Sequence, residues 1–264
     1  MTTPIPFDPG RFRSAARHYF ARAGYSPRLI RKVVAELALT TNDRIMDLGC
    51  GPGLLAVALA PFVKEVVAID PAAEMLAVGR DAARDRPGKI QFVEGSSNDL
   101  GTQFGRFRLV AMGRSFHWMD RAETLKRLDT INEPDGAVAL FDVDTVRQDA
   151  GDWHAPFDEI VERYAAGKAE WRAPDWVPHE TFLLDSPFSP IDGASVVEWD
   201  SFPAAQLVDR AFSMSRTAPD ALGPDKAEAL AADLRALAAD VAVDGMIGEI
   251  LESRALIARR PNAN

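Results

Sequence analysis

Apolar positions along this chain of 264 residues fall into two rhythms. Short apolar runs bounded by acids, glycines or turn residues read as buried parallel strands. They lie at 45–48, 66–69, 90–93, 107–112 and 137–141. Between them the apolar period lengthens to that of helices, from Pro27 to about Leu39, from Leu54, from Pro71 and across 121–128. Upstream, Phe12, Ala15, Ala16, Tyr19 and Phe20 predict a helix over 11–20, which Gly24 ends. Downstream, 194–199 predicts a sixth strand, 203–214 and 224–243 predict helices, and 249–258 predicts a seventh strand. Strand and helix in alternation predict an α/β, Rossmann-like doubly wound sheet of seven strands, mostly parallel with an antiparallel edge strand. Residues 142–193 break the rhythm with irregularly placed aromatics, so the expected division is a core of 1–142 and 194–264 with 143–193 inserted as a lid or substrate subdomain.

The chemistry starts where the first strand ends. Asp47-Leu48-Gly49-Cys50-Gly51-Pro52-Gly53 closes an apolar strand, turns on three glycines and opens a helix at Leu54. Such a turn lets a ligand approach the backbone closely. Asp70 closes the second strand, about twenty residues on, where a Rossmann-type site sets a carboxylate against ribose hydroxyls. A dinucleotide site would need a third glycine where Leu54 stands, and an acid at Asp47 would repel a pyrophosphate. The pattern therefore favours a nucleoside-bearing cofactor with a cationic end.

The heptad at 47–53, with the acid-ended second strand, resembles motif I of the class I S-adenosylmethionine-dependent methyltransferases. The resemblance implies S-adenosylmethionine as cofactor, with the backbone of Gly49, Cys50 and Gly51 under its methionine part. Asp47 would receive the ammonium, Asp70 the ribose hydroxyls, and Pro71 and Met75 would lie beside the adenine. Members of the family carry an acidic or polar residue after the third strand to bond the adenine amino group. Here Ser96 stands where Asp is common, leaving Ser96, Ser97 and Asn98 as alternatives. Met112 and Arg114, at the end of the fourth strand, would border the methionine end. His117-Trp118-Met119-Asp120 resembles a subgroup of the type 11 methyltransferases that includes trans-aconitate-methyltransferase-like proteins. The resemblance also implies an N-terminal helix over the cofactor, which puts His18, Tyr19 and Tyr25 at the substrate side with Trp118 and Trp153. The aromatics of the insertion either enclose a flat acceptor or build a small core of their own.

The implied reaction is methyl transfer by in-line displacement to oxygen or nitrogen of a small organic molecule. A base is needed only if the nucleophile carries a proton, and His117 is the candidate. A carboxylate acceptor would need a cationic clamp, for which Arg114 is nearest. The alternatives are methyl-ester formation, C-methylation, or a non-catalytic cofactor-binding protein of the same fold; Leu54 and Asp47 disfavour a dinucleotide oxidoreductase. Ser213 and Ser215 resemble a Ser-rich segment of the subgroup and read best as helix-end hydrogen bonds.

Charge and composition narrow the partners. A formal net charge of -9 disfavours gripping a nucleic-acid backbone, and a small-molecule substrate is expected. No apolar run reaches membrane-spanning length, so a cytoplasmic protein without a membrane partner is expected; oligomeric state stays open. The single cysteine, Cys50, allows no internal disulfide and reads as a packing residue. His154 and His179 lack the companions of a zinc site, so no metal is expected.

Overall fold

The computed structural model describes residues 12–147, 152–167 and 176–261. Its centre is a seven-stranded sheet in the order β3-β2-β1-β4-β5-β7-β6. Strands β1 (Arg44–Leu48), β2 (Glu65–Asp70), β3 (Ile90–Glu94), β4 (Phe107–Gly113) and β5 (Asn132–Thr145) run parallel. β7 (Met246–Arg259) is antiparallel both to β5 and to β6 (Ile191–Pro203). The expected mostly parallel sheet with an antiparallel strand on one side holds. That strand is the last but one, because β6 hydrogen-bonds outside it. The strand order reverses between β1 and β4, so the loops leaving these two strands diverge and open a crevice at their carboxyl ends.

Successive side chains of a strand point to opposite faces, and here both faces are covered. Ile45, Val66, Ala68, Leu109 and Ala111 share one core with α1 (Pro27–Glu36) and α2 (Leu54–Leu59). Met46, Leu48, Val67, Val110 and Met112 share the other with α4 (Arg121–Ile131). α3 (Ala73–Ala83) packs along β3. The helix starts follow local chemistry. The Ser26 hydroxyl accepts the N–H groups of Arg28 and Leu29, and the Asp120 carboxylate accepts that of Glu123.

Gly79 makes one point of close contact, since a Cβ there would sit 2.8 Å from the Pro52 carbonyl oxygen and 2.7 Å from the Phe92 ring. A glycine in a helix ordinarily gains stability on becoming alanine, by up to about 1 kcal/mol. At Gly79 the overlap is with backbone, so Gly79→Ala is expected to lose about 1–3 kcal/mol instead. A urea midpoint that rises in this variant would show that α3 moves aside freely.

The insertion is shared between two parts of the molecule. α5 (His154–Tyr164) packs with α7 (Gln206–Phe212) and α9 (Pro224–Val241) around Trp153, Phe157, Val161, Leu207, Leu230 and Leu234. α6 (His179–Leu184) joins the sheet on the α4 side through Leu183, followed by Phe188. A short α8 (Pro219–Leu222) precedes α9. β5 runs four residues past Phe141, because β7 pairs with it as far as Thr145 opposite Leu251. The expected N-terminal helix is a turn followed by a 3-10 stretch, Ala16–Ala21. Contacts from α3 and α7, rather than helix propensity, hold it. Arg11, where the expected N-terminal helix starts, and Trp171, one of the aromatics of the insertion, lie outside the described residues.

Candidate active site

The crevice at the carboxyl ends of β1, β2, β3 and β4 encloses a cavity of about 590 Å³. Gly49, Gly51 and Gly53 have φ of +70°, +55° and +84°, values that an L side chain rarely adopts. The Ile69 carbonyl accepts the N–H groups of Gly49 at 2.8 Å and Cys50 at 3.0 Å, which ties the turn to β2. At Gly49 a Cβ would lie 2.6 Å from that of Ser115, whose hydroxyl donates to the Leu48 carbonyl at 2.7 Å. The loop after β4 is thereby fastened to the loop after β1, and Gly49, Gly51 and Ser115 all line the cavity.

Two carboxylates stand at this turn in different environments. Asp70 lines the cavity, and its oxygens accept the N–H of Gly51 at 2.8 Å and of Ala72 at 2.9 Å. Asp47 is 1% exposed beneath the turn. One of its oxygens accepts the Ala56 N–H at 2.9 Å; the other, Oδ1, has no partner. Burial, only partly offset by the Ala56 bond, pushes the Asp47 carboxyl up to about 7.

Comparison with known proteins agrees with this geometry. Residues 45–136, from β1 to the start of β5, match the family model described as a methyltransferase domain. An uncharacterized methyltransferase of Schizosaccharomyces pombe is 27% identical over 56% of this chain, and the match spans only 57% of that relative. Another from Mycobacterium tuberculosis is 27% identical over 74% of this chain and 72% of its own. Among solved structures, an S-adenosylmethionine-dependent methyltransferase from Thiobacillus denitrificans in complex with S-adenosylhomocysteine aligns over 98% of this chain and 100% of its own. It does so at 16% identity and a TM-score of 0.52, a likeness of fold. The match over residues 45–136 and these relatives support a class I S-adenosylmethionine-dependent methyltransferase.

In this methyltransferase the expected cofactor residues fall into three groups. Gly49, Gly51, Asp70, Pro71, Met75, Ser96, Ser97, Asn98 and Arg114 line the cavity. Asp47 and Cys50 lie behind the turn, the Cys50 thiol donating to the Gly51 carbonyl at 3.3 Å and held above its usual pKa by burial. Met112, by contrast, points into the core of the α4 face, because odd and even residues of β4 alternate; the wall is formed instead by Gly113, Arg114 and Ser115. The Ser96 hydroxyl is spent locally, accepting the Asn98 N–H at 3.2 Å and donating to Asp99 at 2.8 Å. Among the described residues the side chains of Ser97 and Asn98 have no such partner, which singles them out on this loop.

The substrate-side expectations divide similarly. Tyr19, Trp118 and Phe12 line the cavity, the Phe12 ring edge-on to that of Trp118 at 5.7 Å. Tyr25 lies behind, its ring 5.0 Å beneath the Arg114 guanidinium and its phenol pushed up to about 12 by burial. Arg114, at φ +54°, also donates to the Ala23 carbonyl at 3.2 Å, so Tyr25 and Ala23 aim it at the cavity. His18 is diverted: Nδ1 meets Asp209 at 2.7 Å, Nε2 accepts from Arg17 at 2.9 Å, and the ring packs on Phe212. Trp153 is diverted too, buried among Phe157 and Phe202 with its N–H on the Gly248 carbonyl at 2.9 Å. The family resemblance implies both at the substrate side; packing against α7 and α9 takes them away from it.

His117 stands one layer behind the wall, its ring centroid 4.7 Å from that of Trp118. Burial lowers its pKa to about 4, and the imidazole is neutral at pH 7. Ser115, Gly113, Gly95, Met119 and Asp120 also line the cavity without having been singled out from sequence. The available signal was their position in loops after β3 and β4, at the switch point of the sheet. Ser213 is a helix-end residue as read, donating to the Arg210 carbonyl at 2.6 Å. Among the described residues no helix is long and apolar enough to cross a membrane.

Proposed function

We propose that this methyltransferase transfers the methyl group of S-adenosylmethionine to oxygen or nitrogen of a small organic molecule. One observation carries the reading: the glycine turn and Asp70 line the same cavity as Arg114, Trp118 and Tyr19. The residues fit the cofactor. Glycine backbone leaves room for the methionine part, Asp70 offers two oxygens to the ribose hydroxyls, and the unpartnered Oδ1 of Asp47 suits an ammonium. S-Adenosylmethionine supplies an activated methyl on a sulfonium. The chain's task is mainly to hold the nucleophile in line with it, in a cavity that Phe12 and Tyr19 help to line. His117 takes the proton of a phenol or alcohol. A carboxylate acceptor is the second reading, favoured by the Arg114 guanidinium in the wall with its Nε unpartnered. Product masses from a screen of phenols, carboxylic acids and heterocycles test the proposal. Cofactor binding without any methylated product would leave a cofactor-binding protein.

The environment of Asp47 gives a second test. With its pKa near 7, Asp47 gains its charge as pH rises through neutrality. Affinity for S-adenosylhomocysteine, which carries the ammonium, should therefore climb with pH below about 7, by up to about tenfold per unit. It should fall again only in more alkaline solution, as the ligand's own amine, held up by its neighbouring carboxylate, loses its proton. 5′-Methylthioadenosine lacks the ammonium and should show neither trend; in Asp47→Asn the low-pH trend should vanish. Parallel pH curves for the two ligands in calorimetry would remove Asp47 from the ammonium site.

A further inference from the structure

One edge of the sheet is open. Among the described residues no strand lies outside β6, whose 13 residues keep one unbroken register with β7. Main-chain bonds at its two ends fix which way its polar groups point. The Arg259 N–H donates to the Pro190 carbonyl, and the Ala204 N–H to that of Gly245. In an antiparallel ladder every second residue bonds the neighbouring strand, so the even-numbered residues of β6 bond β7. The N–H and C=O groups of Gly193, Ser195, Val197, Trp199 and Ser201 therefore point away from it. Lys32 agrees with this, since its ammonium reaches the Ser195 carbonyl from α1 at 3.0 Å.

Side chains alternate on the same period. Val196 and Ala194 pack into the core shared with α1, and Glu198 lies 4.0 Å from Arg28 of that helix. Val197 and Trp199, on the other face, are 55% and 70% exposed. Exposed strand edges are usually guarded by a charge, a proline or a bulge. The outward-bonding positions from Gly193 to Ser201 carry neither charge nor proline. The three acids of β6, Asp192, Glu198 and Asp200, all stand at even positions. The edge thus presents free backbone beside two large apolar side chains.

We infer that β6 is the interface to a second copy of this chain, the two β6 strands pairing antiparallel about a twofold axis at Val197. Val197 is the midpoint of Ile191–Pro203, so the strands overlap along their whole length. The acids select the same register, because like charges directly opposite one another destabilise a strand pair. With the axis at Val197, Asp192 stands opposite Phe202 of the second copy, Glu198 opposite Val196, and Asp200 opposite Ala194. An axis at Ser195 would set Asp192 against Glu198, and one at Val196 would set Asp192 against Asp200. At Trp199 it would set Glu198 against Asp200, and at Glu198 that residue against itself. In the register at Val197 the outward residues exchange about ten main-chain hydrogen bonds, and each Trp199 lies beside Val197 of the other copy. Lys32 yields the Ser195 carbonyl to the second copy, whose Asp200 arrives beside it, opposite Ala194.

Light scattering and sedimentation of the parent protein at tens of micromolar should give twice the mass of one chain. Val197→Glu sets two carboxylates face to face on the axis and should raise the dimer dissociation constant by about a hundredfold or more. Its circular dichroism should match the parent's, because in a single copy this side chain is exposed. Cysteine substitutions read the register. Val197→Cys meets its own counterpart at a Cα separation of about 5.5 Å, within disulfide reach, and should cross-link under mild oxidation. Ser195→Cys and Trp199→Cys should cross-link when the two variants are mixed and allowed to exchange, and neither should do so alone. The parent's cysteine, Cys50, is buried and should form no cross-link. A monomeric parent, a dimer untouched by Val197→Glu, or cross-links in any other pattern overturns the inference.

Discussion

Asp70→Ala is expected to weaken S-adenosylhomocysteine binding by about 1.5–3 kcal/mol, ten- to about 150-fold, the range for hydrogen bonds to a charged group. Each Asp70 oxygen already accepts one backbone N–H, from Gly51 and from Ala72, and each keeps lone-pair capacity toward the cavity. Burial raises the pKa of this carboxyl, so its charge is retained at a cost that ligand hydroxyls offset. The substitution also frees two N–H groups of the turn, and some loss of thermal stability should accompany it. A ligand analogue without ribose hydroxyls separates the effects, because it should bind parent and variant alike. Equal calorimetric affinity of parent and Asp70→Ala for S-adenosylhomocysteine would place the ribose elsewhere.

The second large effect is on turnover. With a phenol or alcohol acceptor, His117→Ala should lower the rate by about 10²- to 10⁴-fold and leave cofactor affinity nearly unchanged. The lowered pKa of His117 shapes the rest of the expectation. A base of pKa about 4 is available throughout the neutral range but binds a proton weakly, so the loss should fall nearer a hundredfold. The acidic limb of the pH–rate profile should lie near pH 4, with little pH dependence from this group above about 5, and the variant should lack that limb. With a carboxylate acceptor the pattern inverts: His117→Ala matters little, while Arg114→Ala raises KM for the acceptor. Rates and KM values unmoved by both substitutions would exclude this side of the cavity as the acceptor site.

What the sequence by itself determined lies in short windows. The glycine turn at 49–53, the acids that end β1 and β2, and the apolar strands between helices are patterns over a few residues. Their meaning is set by backbone conformation and strand periodicity, which neighbours along the chain control. The family, the cofactor and the sheet followed from them. Tertiary structure decided wherever a side chain had more than one place to go. Trp153 and His18 left the substrate side because α9 and α7, far along the chain, supply a core and a carboxylate to meet them. β5 outran its apolar run because β7, more than a hundred residues later, supplies the ladder. Met112 turned inward on strand parity, and Ser96 was taken by Asp99, three residues on. His179 meets Arg121, fifty-eight residues earlier, at 3.2 Å, a contact that no periodicity encodes. Spacing reports what the local backbone does; the partner of a polar or aromatic side chain is set by which distant elements the packed core brings beside it.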